Sequence, residues 1–113
     1  MLFRKSSELQ GAALDWAVAK CEGVALDPNL LKDGYAVKFR FEPSTNWAQG
    51  GPIIEREGIS INIWGNDKWV GNYCEAEQYG PKPLIAAMRC YVASKLGDII
   101  DIPEELLTKI LGD

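Results

Sequence analysis

The sequence predicts a small α+β domain: an antiparallel sheet of three or more strands packed against two main helices, with a short helix at the C-terminus. Three observations predict it. Two alanine-rich segments, "GAALDWAVAKCE" and "LIAAMRCYVASKL", carry apolar residues at helical spacing. Between them, "YAVKFRFE" and "GISINIW" alternate apolar and polar residues, the pattern of half-buried strands. Helices and strands are also segregated along the chain, which favours helices on one face of an antiparallel sheet. A length of 113 residues fits one domain over residues 1–113.

Each element has its own signals. Ser7-Glu8-Leu9-Gln10 fits a capping box at the start of the first helix, and Gly23 is a left-handed stop at its end. Leu14, Ala17, Val18 and Cys21 share one face, and Trp16 lies on another, so this helix should be covered on two sides. Tyr35, Val37, Phe39 and Phe41 form the apolar face of the first strand. Ile59, Ile61 and Ile63 do the same for the next, and Gly65-Asn66-Asp67 turns it into "KWVGNYC". Gly71 inside that strand marks a bulge or a close backbone approach. Pro83 suits the first turn of the second long helix, which ends at Gly97. "DIIDIP" reads as extended, and Pro103 opens a short final helix whose Leu106, Leu107 and Ile110 should dock on the domain.

Composition narrows the chemistry. The chain has no histidine, so Ser-His-Asp and Cys-His catalysis and H-E-x-x-H zinc sites are excluded. No phosphate-binding P-loop and no EF-hand calcium loop appear, and the expectation is no cofactor and no metal. A net charge of −4 without a Lys/Arg run disfavours free duplex nucleic acid. No apolar run approaches the ~20 residues that span a bilayer, so no membrane partner is expected. Cys21, Cys74 and Cys90 are widely spaced and read as small buried hydrophobes of a reducing cytoplasm.

Three blocks, "ELQGAALDWAVAKCEG", "PSTNWAQGGPIIERE" and "GPKPLIAAMRCYVASKLGDIIDIPEEL", resemble the NinX-like family of phage and prophage proteins. They span most of the chain; Ile59–Gln78 resembles the family less closely. The resemblance implies a phage-derived protein in the cytoplasm of a bacterial host, and implies no particular activity.

The leading candidate site is the stretch after Pro43. Ser44, Thr45 and Asn46 are turn formers, Trp47 adds a flat apolar face, Gln49 an amide, and Gly50 and Gly51 bare backbone N–H groups. Read as a loop, it cradles a planar or anionic ligand; the plainer reading is a turn whose tryptophan plugs the core. Arg89 flanks the apolar stripe of the second long helix and needs a carboxylate, with Asp15 the first choice and Glu55 or Glu57 the second; the alternative is that it grips an anion beside Trp47. Tyr91 is core or pocket lining. Glu55 and Glu57 should face one side of a strand. Trp64 and Trp69 flank the hairpin turn and either stack across strands or present an aromatic patch.

The first functional expectation is a non-catalytic binding protein for a host protein or a small anionic or planar ligand, held by Trp47, Gln49, Gly50, Gly51 and Arg89. The second is a histidine-free hydrolase or transferase that uses Glu55, Glu57 and Asp15. The third is a structural module that forms a homodimer through its hairpin or terminal helix.

Overall fold

Two glycines set the spacing between sheet and helix. In a computed structural model, which describes residues 2–24, 41–104 and 106, a Cβ at Gly71 would lie 3.0 Å from Ala86 O. At Gly80 it would lie 2.9 Å from Ala86 N. Only glycine lets these strands rest directly on helix backbone. The close approach expected at Gly71 is therefore present.

The described elements run in this order: β1 (Leu2–Lys5), a 3-10 turn (Ser6–Glu8), α1 (Gly11–Glu22), α2 (Trp47–Glu57), β2 (Ser60–Trp64), β3 (Lys68–Tyr73), β4 (Ala76–Gly80), α3 (Pro83–Leu96) and β5 (Ile99–Ile102). β2, β3 and β4 form an antiparallel sheet in that order, with Ile63 opposite Trp69 and Val70 opposite Tyr79. β1 and β5 form a second antiparallel pair, in register from Leu2–Ile102 to Lys5–Ile99. The protein is thus α+β, with three helices and two small sheets among the described residues.

The core lies between α1 and α3. Leu14, Ala17 and Val18 of α1 meet Ala87, Met88, Tyr91 and Val92 of α3, and Ile100, Ile102 and Leu106 close one end. Every residue from Ala13 to Ala19 is buried, which bears out a helix covered on two sides. α1 ends at Gly23 in the left-handed region, its N–H bonded to the Ala19 and Lys20 carbonyls. α3 starts with Pro83 in its first turn and stops at Gly97, as expected.

Several expectations are corrected. Ser7 does not cap α1: it lies in the 3-10 turn, and the helix begins after Gln10, which makes no side-chain cap. β1, "LFRK", and β4, "AEQYG", show no clean apolar–polar alternation in sequence and were not anticipated. Ile63, in β2, is exposed, while Ile59 is buried. Trp64 stacks edge-on against Tyr79, ring centroids 5.7 Å apart, and not against Trp69. All three cysteines are free, and Cys74, at the β3–β4 turn, is exposed. The alternating strand expected over Tyr35–Phe39 lies outside the described residues, as do Leu107 and Ile110. Leu106 is fully buried, which docks the start of the final helix on the domain.

Candidate functional site

The stretch from Ser44 to Glu57 is a turn followed by a helix. Asn46 is its N-cap, and its Oδ1 accepts the Ala48 N–H at 2.8 Å. Gly50 and Gly51 therefore lie inside α2 and present no cradle of backbone N–H groups, which corrects the loop reading. A Cβ at Gly50 would sit 2.4 Å from Pro43 O, so this glycine serves packing. Gln49 turns inward, its Oε1 accepting the Glu42 N–H at 2.6 Å. Glu55 and Glu57 are on a helix and not a strand, about 200° apart at about 100° per residue, so they do not share a face.

Trp47 is 55% exposed and does not plug the core. It borders a cleft of about 250 Å³ with Ser44, Thr45, Pro83 and Leu84, and Lys82 stands at the rim. The floor of this region is tied to α1, because the buried Ser44 N–H donates to Asp15 Oδ1 at 2.9 Å. Burial pushes the Asp15 carboxyl up to about 6; the Ser44 contacts oppose the rise and the Glu42 charge adds to it.

Arg89 does not pair with Asp15, Glu55 or Glu57. Its Nε donates to Leu9 O at 2.7 Å and its Nη1 to Tyr79 O at 2.8 Å. Arg89 is 9% exposed as a residue, and among the described residues no carboxylate forms an ion pair with it. Burial alone lowers its pKa. It lines a cleft of about 360 Å³ with Ser7, Asp67, Lys68, Gln78 and Tyr79. This cleft shares no residue with the one beside Trp47, so the structure separates two parts of the expected site.

A third cluster was only partly anticipated. Arg56 grips Glu22 with two bonds, 2.5 and 3.0 Å, and Glu57 with a third of 2.7 Å. Tyr91 donates to Glu22 and Tyr73 to Glu57. Arg56 holds the Glu22 carboxyl below its usual range, and the Tyr73 hydroxyl holds Glu57 down. The hydrogen bond to Glu57 in turn pushes the Tyr73 hydroxyl up to about 12. No group here is poised to exchange a proton near neutrality, so the cluster acts as a clamp joining α1, α2, β3 and α3. Glu22 looks like an ordinary helix end, and Arg56 falls in a stretch whose sequence reads as a strand, so neither carries a signal for the clamp.

Residues 5–95 match the family described as bacteriophage P22 NinX. The chain belongs to the NinX family. The matched NinX segment contains Trp47, Arg89 and the Arg56 clamp. No curated protein matches the chain. Among the described residues, no three Cys, Asp or Glu side chains gather to hold a metal, and no helix is long and apolar enough to cross a membrane.

Proposed function

We propose that this phage protein works by binding, in the cytoplasm of the host bacterium, and that Arg89 is the seat for an anionic group of its ligand. One observation carries the reading. Arg89, buried as a residue and with no carboxylate paired to it among the described residues, lines an open cleft. Removing such a charge from water is costly unless a counter-charge offsets it, and two neutral carbonyls orient the group without neutralising it. A planar fork held in this way is prepared for a carboxylate or phosphate oxygen. Lys68 adds a second positive charge at the rim. The residues of the rival enzyme reading are dispersed in their contacts: Asp15 serves Ser44, Glu57 serves Arg56 and Tyr73, and Glu55 is exposed.

The test is a titration with inorganic phosphate, followed by thermal denaturation. Saturable stabilisation that falls severalfold in Lys68→Ala and disappears in a folded Arg89→Lys supports the reading. No saturable stabilisation of the unaltered chain contradicts it.

The exposed indole of Trp47 favours a second contact, with a protein partner, at the neighbouring apolar cleft. Trp47→Ala should then weaken capture of that partner while phosphate still binds.

A further inference from the structure

Among the described residues, β4 is the last strand of its sheet and pairs only with β3. Antiparallel pairs alternate between residues that bond across the ladder and residues that point away from it. Arg89 reaches the Tyr79 carbonyl, so Tyr79 points away from β3. By the same alternation Glu77 points away too. Among the described residues no strand pairs with this edge of β4, and apart from the Tyr79 carbonyl taken by Arg89 its outward peptide groups are a template for another strand.

That edge does not face open solvent. A cleft of about 550 Å³ runs beside Ala76–Gln78, walled on the other side by Lys5–Ser7 and Asp98–Ile99. The Arg89 cleft continues it, since Ser7 and Gln78 line both. The two form one groove between the sheets, following β4 from its first residue to its last. Its charge is polarised. Glu75, Glu77 and Asp98 outnumber Lys5 at the Ala76 end, while Arg89 and Lys68 outnumber Asp67 at the Gly80 end.

We propose that this groove seats an extended peptide segment of a partner protein, added antiparallel to β4, with an acidic residue at Arg89 and Lys68 and a basic residue against Glu75, Glu77 and Asp98. The proposal rests on the anion seat at Arg89 and adds the partner class and its direction. Five residues of β4 present about 16 Å of edge at ~3.3 Å per residue, room for a short strand. Main-chain bonds supply affinity in such a contact, and the end charges supply register. An antiparallel strand starts at the Gly80 end, so the acidic residue comes first in the peptide and the basic residue last.

The probe is a capped, fluorescently labelled peptide, Glu-Val-Thr-Val-Lys, measured by anisotropy against the full chain. Two control peptides accompany it. One carries Gln at both ends; the other carries N-methyl groups on the amides that face β4. The expected result is at least tenfold weaker binding for the Gln peptide and loss of binding for the N-methylated one. Equal binding of charged and neutral peptides, or undiminished binding of the N-methylated one, overturns the proposal. If none of the peptides binds while phosphate still stabilises the chain through Arg89, strand addition is refuted and the anion seat stands.

Discussion

Asp15→Asn should gain stability relative to the unaltered protein as pH rises, although it removes a charge that accepts a hydrogen bond. The Asp15 side chain is 5% exposed, and burial lifts its pKa from an ordinary 3.8 to about 6. The folded chain therefore holds this proton more tightly than the unfolded chain. Its contribution is fully present below 3.8, is lost as pH rises towards about 6, and stays lost above that. At ~1.4 kcal/mol per pH unit, a rise from 3.8 to about 6 amounts to ~3 kcal/mol at neutral pH. Asparagine has the same shape and keeps an Oδ1 for the Ser44 N–H. Its amide adds a buried donor, which costs ~1–3 kcal/mol if unsatisfied, at every pH. The stability difference between the two proteins should thus move by ~2–3 kcal/mol towards asparagine between pH 4 and pH 7.5. Urea unfolding followed by far-UV circular dichroism at both pH values reads this directly. Comparing the two proteins at each pH cancels every other titrating group. A difference that stays constant with pH, or that moves towards aspartate, refutes the reasoning.

Three further predictions follow from the packing. Glu22→Gln breaks the double bond to Arg56, and should cost ~1 kcal/mol at neutral pH in thermal melts. Since the Glu22 pKa is lowered, that contribution is present above its ordinary 4.5 and lost as pH falls through the folded value, so the variant and the parent should converge in acid. Gly80→Ala places a Cβ 2.9 Å from Ala86 N and should cost ~1–3 kcal/mol, whereas Gly51→Ala, inside α2, meets nothing within 4 Å and should gain ~0.5–1 kcal/mol; a loss at Gly51 would contradict the helix. Trp47→Ala should change stability by less than ~0.5 kcal/mol while removing one of two exposed indoles, so that quenching by a soluble quencher falls but persists through Trp64; cooperative unfolding at lower urea would show the indole to be structural.

The long helices were legible because their signals are local and agree with each other. Gly23, Pro83 and Gly97 mark the ends, and the apolar faces bury where their spacing says. α2 was not legible, because two glycines and Pro52 disfavour a helix interior. What favours the glycine is packing: Gly50 is needed where α2 lies against the nearby Pro43 carbonyl and against Leu84, which is distant in the chain. β4 was missed because it is an edge strand with polar side chains and is defined by its pairing with β3. The chemical need of Arg89 was legible, but its solution was not. Helical spacing puts Asp15 on the facing helix, yet carbonyls of Leu9 and Tyr79 arrive first, from an irregular segment and a strand end. Main-chain acceptors leave no mark in composition.

The central claim is that Arg89 carries an orienting but not a neutralising set of contacts and so awaits an anion. The most direct measurement is the guanidinium ¹⁵N spectrum of Arg89 in the unaltered chain during titration with inorganic phosphate. A saturable shift of the Nη resonance, with the Nε–H to Leu9 bond kept, is predicted. A spectrum indifferent to phosphate, or one showing the guanidinium already paired with a carboxylate of its own chain, would contradict the account.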